Sequence, residues 1–277
     1  MTYIASSFDS NDPEIISIID ELPLWSAPFG LKLLEAVPMK KNIKVLDIGS
    51  GLGFPLIEIA MRLGKTCEVY GIDPWKAARN RAEQKIKTIG LKNVKMIDAA
   101  AEDIPFDDES FDLVVSNNGI NNVQDFEKSM SEISRVAKKN SDFVFTVNLE
   151  ETMIEFYNEY KNVLAEKGMT DEIKLLEQHI HQKRKPVEEI KTLVVKSGFK
   201  INKVSFDKFY LRFADGTTML NHFLIKLAFL ESWLQILHQK EQTEIFKEVE
   251  LRLNRISEKK GELKLTVPFA LFECRKS

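Results

Sequence analysis

The segment Val45-Leu46-Asp47-Ile48-Gly49-Ser50-Gly51-Leu52-Gly53 constrains this chain more than any other. Residues 43–48 read as an apolar strand. From about Phe54 to Leu63 the apolar positions Ile57, Ala60, Met61 and Leu63 share one face, which reads as a helix. A strand that enters a helix through a glycine turn brings backbone N–H groups close to a bound ligand. Glycine is needed because a side chain would block that approach or the positive φ of the turn. The spacing Gly49-x-Gly51-x-Gly53 puts Phe54 where a dinucleotide fingerprint has its third glycine. No Gly-Lys-Ser/Thr follows, so the turn is not a P-loop.

Four further strands follow: 68–73, 94–97, 111–116 and 143–147, the last after a helix from about Phe126 to Ala137. Strands alternating with helices at this spacing predict a parallel sheet covered on both faces, an α/β fold. Asp73 ends the second strand about twenty residues past the glycine turn, where a carboxylate can accept both hydroxyls of a ribose. A nicotinamide enzyme would carry an acid there too, and capping of the helix after Pro74 is the structural alternative.

Beyond residue 149 the pattern changes. Residues 150–182 read as helix, broken near Gly168-Met169-Thr170-Asp171, and Pro186 starts a helix that stops at Gly198. Phe199–Phe206 and Leu263–Val267 read as strands six and seven. About fifty mostly helical residues separate them, and an insertion of that length is usually functional or structured in its own right. Its most apolar stretch, Met219 to Leu237, carries Asn221, His222, Lys226, Glu231 and Gln235, too many polar groups for a lipid-facing span. A helix apolar on most sides must be covered, so it roofs a pocket, packs a subdomain or forms a homodimer contact. The run His181-Gln182-Lys183-Arg184-Lys185 reads as a solvated linker, with an anion contact as the alternative.

A net charge of −3 over 277 residues argues against general nucleic-acid binding. Cys67 and Cys274 are too few for a disulfide framework or a thiolate metal site and read as buried small hydrophobes. Residues 1–9 show no basic flank or long apolar run. A cytoplasmic protein without a membrane span or a metal is the expectation.

Residues 45–53, Gly71-Ile72-Asp73, Ala101-Glu102-Asp103-Ile104-Pro105-Phe106 and Ser110-Phe111-Asp112-Leu113-Val114-Val115-Ser116 together resemble the class I S-adenosylmethionine-dependent methyltransferases. Within them the match is to the small-molecule enzymes of the ubiquinone/menaquinone-biosynthesis (type 11) group, over about residues 43–147. The resemblance implies a Rossmann-like, doubly wound, mostly parallel seven-stranded sheet with helical insertions forming a cap. It implies S-adenosyl-L-methionine as cofactor and a small-molecule acceptor. Asp47 is similar to the acid that orients the loop and approaches the methionine amino group. Gly49, Ser50, Gly51 and Gly53 would pack under the methionine and ribose by backbone contact. Asp73 would hold the ribose hydroxyls, with Pro74 and Trp75 beside the adenine. Ala101 and Glu102 correspond to the loop whose backbone reads the adenine edge, and Ser116 and Asn117 would end strand four beside the methionine. Two departures stand out. Relatives commonly carry Gly-Asp-Ala where this chain has Ala99-Ala100-Ala101, leaving Asp98 two positions early, and a frequent Leu-His-His is Ile120-Asn121-Asn122 here.

The expected organisation is an N-terminal helical segment over 1–42, a cofactor-binding core over 43–149, and the rest of the sheet over 150–277. Leu24–Gly30 is a lid over the cofactor or plain packing. The insertions at 150–183 and about 215–260 are expected to cap the acceptor. Methyl transfer needs a base only if the acceptor loses a proton as it attacks, so no catalytic residue follows from the pattern. Tyr210, Arg212 and His222 are the polar candidates, although a histidine at helical spacing is more often hydrogen-bonded core. Methyl transfer to protein or RNA, or cofactor binding without catalysis, are the competing readings.

Overall fold

The computed structural model describes Tyr3, Ile4 and residues 8–277, so the expectation for residues 1–9 falls partly outside the described residues. Its sheet has seven strands: β1 (Lys44–Ile48), β2 (Glu68–Ile72), β3 (Val94–Ile97), β4 (Phe111–Asn117), β5 (Ala137–Asn148), β6 (Phe199–Phe213) and β7 (Leu263–Lys276). They lie in the order β3-β2-β1-β4-β5-β7-β6. The first five are parallel to their neighbours, and β7 runs antiparallel to β5. This is the Rossmann-like α/β sheet. Strand order reverses between β1 and β4, and in an open sheet of this kind the ligand crevice lies outside the carboxyl ends at that switch point.

Local signals set the helices around it. The first, α1 (Pro13–Glu21), has Pro at its start and Asp12 as N-cap, accepting the Glu14 N–H at 2.8 Å. After it come α2 (Ser26–Ala36), α3 (Leu56–Leu63), α4 (Lys76–Ile89) and α5 (Phe126–Val136). Gly90 ends α4 in the left-handed conformation, and Asp125 caps α5 through the Lys128 N–H at 2.9 Å. On one face of the sheet, Val45, Val69, Leu113 and Val115 pack with Leu33 and Leu34 of α2 and Ile59 and Ala60 of α3. Burying one fully enclosed Leu or Ile is worth about 1.5–3 kcal/mol, so such a face holds the helices to the sheet. Phe29 of α2 is fully buried, edge-on to Phe269 at 5.1 Å.

The chain forms two compact units. One holds residues 10–148, 185–207 and 269–277, which include β1–β5 and α1–α5 with α8 (Val187–Lys196). The other holds 149–184 and 208–268 with the described residues before Ser10. In the second unit, α6 (Ile154–Glu166) and α7 (Thr170–Lys183) form an antiparallel pair broken at Gly168, as the sequence suggests. A long α12 (Gln239–Lys260) packs on α6 and on α9 (Gly216–Asn221).

Two expectations are corrected here. The apolar stretch Met219 to Leu237 is not one helix. After α9 the chain kinks at His222, whose ψ of 137° is extended, and resumes as α10 (Phe223–Ile225), a π-helical turn at Lys226–Leu230 and α11 (Glu231–Leu234). Apolar residues on every side gave the sequence no single face from which to read the break. Arg184 is not in a solvated linker: it is 3% exposed, with its guanidinium 5.2 Å from the Tyr157 ring centre.

Candidate cofactor site at the glycine turn

The turn after β1 is tied to the end of β2. Gly49 and Ser50 both donate their N–H to the Ile72 carbonyl, at 2.9 and 3.1 Å, and Gly53 donates to Ser50 O at 2.8 Å. The Ser50 hydroxyl points inward to the same Ile72 carbonyl, so only the backbone of this residue is left to face a ligand. Two glycines act in opposite ways. Gly49, at φ +70°, lies so close to the loop after β4 that an added Cβ would stand 2.9 Å from Gly119 Cα. Gly51, at φ +49°, faces open space, with no atom within 4 Å of the Cβ position. One glycine permits close packing; the other leaves room above the turn.

Two carboxylates meet this turn. Asp73 accepts the Gly51 N–H on Oδ2 and the Trp75 N–H on Oδ1, each at 2.8 Å. It therefore holds the glycine turn and the start of α4 together, so the capping alternative is realised alongside any ligand role. Asp47 is fully buried, and neither of its oxygens has a hydrogen-bond partner. Burial, and secondarily the negative charge of Asp73, push its pKa well above the usual carboxylate range.

Arg79 of α4 is a residue that the sequence reading missed. It is 8% exposed, donates from Nη1 to the Asp73 carbonyl at 2.6 Å, and pairs through Nη2 with Asp98 at 2.5 Å. Arginine in a charged helix gives no local sign of such a contact. Ala101 is buried, while the Glu102 carboxylate accepts the N–H groups of Gln124 and Asp125 at 2.7 and 3.1 Å. The Glu102 side chain thus ties two loops together.

At the end of β4, the buried Ser116 hydroxyl donates to Ile48 O at 2.9 Å and accepts the Ile120 N–H at 3.2 Å. Asn117 donates to Ser26 O at 3.0 Å and accepts from Thr146 at 3.2 Å, which brings the N-terminal end of α2 to the carboxyl end of the sheet. Asn121, in place of a family histidine, bonds to Asn118 at 3.1 Å and to Asn148. Asn118, Thr146 and Asn148 were likewise not singled out from the sequence.

The three weaker candidates all lie in the second unit. Tyr210 is 37% exposed and lines a cleft of about 440 Å³ with Glu155, Glu159 and Lys264, whose Nζ sits 3.6 Å from its ring centre. Arg212 pairs with Glu262 at 2.6 Å on the surface. His222 packs edge-on to Phe213 at 5.3 Å; its Nδ1 is buried without a partner, and burial lowers its pKa. Among the described residues, no cluster of His, Cys, Asp or Glu is placed to hold a metal, and no helix is long and apolar enough to cross a membrane.

Comparison with known proteins agrees with this architecture. The chain is 35% identical over 127 residues to a demethylmenaquinone methyltransferase of Geobacillus sp. (strain WCH70), covering 46% of this chain and 54% of that protein. It spans about half the length of the curated relatives it matches. Among solved structures, the YcgJ protein of Bacillus subtilis covers 90% of this chain and 98% of its own at a TM-score of 0.56 and 17% identity. An S-adenosylmethionine-dependent methyltransferase of Aquifex aeolicus covers 70% and 91% at 0.50 and 22%. These structural likenesses concern the fold. A family model described as a methyltransferase domain matches residues 39–250, well over half of the sequence. The chain belongs to the methyltransferase-domain family.

Proposed function

We propose that this chain is a methyltransferase that uses S-adenosyl-L-methionine and acts on a small-molecule acceptor. The observation that carries the reading is Asp47, a buried carboxylate with both oxygens unpartnered, on the strand that feeds an open glycine turn. A buried acid without donors is costly unless a cation comes to it, and the methionine ammonium of the cofactor is such a cation. Bound there, S-adenosyl-L-methionine supplies an electrophilic methyl group on a positively charged sulfur.

In this reading the residues of the chain bind and orient. Asp47 receives the ammonium, and the backbone around Gly49, Ser50, Gly51 and Gly53 lies under the methionine and ribose. Asp73, with lone pairs left on both oxygens, accepts the ribose hydroxyls. Pro74 and Trp75 flank the adenine, and the backbone of Ala101 and Glu102 reads its edge. Asp98, paired with Arg79 and largely exposed, supplies the acid missing at Ala100. Ser116 and Asn117 close the crevice, and the Leu24–Gly30 segment covers it from the side of Ser26. Orienting the acceptor in a water-poor site can supply several kcal/mol. Within the unit formed by 149–184 and 208–268, His222, whose pKa burial lowers, is the group able to take a proton. Both cysteines are free and buried, and burial pushes the Cys274 thiol up to about 12, so a reducing cytoplasm suits the chain.

Calorimetry with S-adenosyl-L-methionine and with NAD tests the cofactor, and release of S-adenosylhomocysteine from a metabolite library tests the activity. Micromolar binding of the first ligand alone is expected. Binding of NAD in its place would overturn the reading.

A further inference from the structure

The second unit contains a positive charge that the fold does not neutralise. Arg184 follows the last residue of α7 and is 3% exposed, and its Nε and Nη1 atoms have no hydrogen-bond partner. Its guanidinium faces Tyr157 at 5.2 Å. The Tyr157 hydroxyl is held by the Trp233 indole N–H at 2.9 Å, and Trp233 stacks on Phe156 at 3.9 Å, all three rings being buried. The floor beneath the charge is therefore rigid and apolar.

Such a site is unstable by itself. Lysine or histidine could lose its proton on burial, but arginine stays charged in proteins. Aromatic contact and the α7 carbonyl ends offset part of the cost. Neither fills the two open donors. His179, near Tyr157, has its pKa lowered to about 4 by burial first and then by Arg184 and Lys183. What the arrangement lacks is an anion, which a guanidinium binds best as a carboxylate or phosphate.

We propose that Arg184 is the core of an oxyanion site in which the guanidinium holds the carboxylate or phosphate of a small ligand. The site is built from Arg184 and Tyr157 of the second unit alone, and its ligand is an anionic small molecule. The low dielectric around the aromatic floor strengthens the pairing relative to water.

The test is calorimetry on the full chain at fixed ionic strength, titrating inorganic phosphate and benzoate separately against a sodium chloride control. One or both should bind wild type saturably, and which one binds identifies phosphate or carboxylate as the ligand group. Arg184→Met and Arg184→Gln should weaken that binding by about tenfold or more, a loss of about 1.4 kcal/mol, with unchanged circular dichroism. Without added oxyanion, Arg184→Met should melt at or above the wild-type temperature, because an uncompensated buried charge has been removed. Failure of both oxyanions to bind wild type overturns the proposal. So does undiminished binding by whichever variant folds. S-adenosyl-L-methionine affinity, measured on the same samples, reports separately on the cofactor reading.

Discussion

The carboxylate of Asp73 accepts the Gly51 backbone N–H at 2.8 Å, so the acid at the end of β2 shapes the glycine turn at the end of β1. An acid that would hold a ribose also positions the loop beneath it. Asp73→Ala should therefore lower S-adenosyl-L-methionine affinity by about 1–3 kcal/mol, the cost of leaving polar partners unpaired. It should also lower the melting temperature, because Gly51 and Trp75 both lose an acceptor. Calorimetry and thermal melts on one preparation check both, and unchanged affinity in a folded variant removes Asp73 from the site.

The two glycines of the turn should respond differently. At Gly51 a side chain enters open space, so Gly51→Val should fold, with about 1–2 kcal/mol of left-handed strain, and bind no cofactor. At Gly49 a Cβ would meet Gly119, so Gly49→Ala should lose stability before binding can be assessed. Chemical denaturation paired with calorimetry separates the two outcomes.

Asp47 gives a pH signature. Its folded pKa is raised, so its contribution to stability is greatest below the unfolded value of about 3.9 and is lost as pH rises through the folded value. Asp47→Asn should therefore melt above wild type at pH 8, with the gap narrowing towards pH 4, and should bind S-adenosyl-L-methionine poorly. In wild type below the folded pKa, an arriving ammonium ionises Asp47. Binding should then release a proton and tighten as pH rises. Calorimetry in two buffers of different ionisation enthalpy measures that proton.

His222→Ala should slow turnover of the true acceptor by about a hundredfold, typical of a lost general base, with cofactor affinity within about twofold. Arg212→Ala removes an exposed pair with Glu262, worth about 0–1 kcal/mol, and should change stability little. We expect it to act on turnover, as His222→Ala does, rather than on cofactor affinity. Steady-state kinetics with equilibrium binding decide both.

The sheet was legible because each parallel strand is a short apolar run bounded by turn residues. The glycine spacing and Asp73 located the turn without any knowledge of contacts. Less could be read where a contact joins distant parts of the chain. Strand β5 begins at Ala137, before the expected Phe143, because Ala137 pairs with Phe111 across an irregular register. Strands β6 and β7 extend past their expected ends, to Phe213 and Lys276. The Arg79 bridge and the Asn118–Asn121–Asn148 network join side chains from separate segments, and none of those residues departs from its local pattern. Arg184 is the extreme case. Its sequence neighbours are basic and polar, yet it is an interior residue that faces Tyr157, twenty-seven positions earlier.

The three tryptophans of the chain occupy three distinct surroundings. Trp233 is sealed from solvent among aromatic rings, and Trp25 lies edge-on to Phe29 at 5.4 Å. Trp75 is half-buried, its backbone N–H on Asp73 and its indole N–H on Ser10 O at 3.2 Å. Emission from this protein is thus already sorted by address, and one of its three sources stands beside the glycine turn. A Trp75→Phe chain would be dark at that position alone. The difference spectrum against wild type would follow events at the turn in real time, without an added dye.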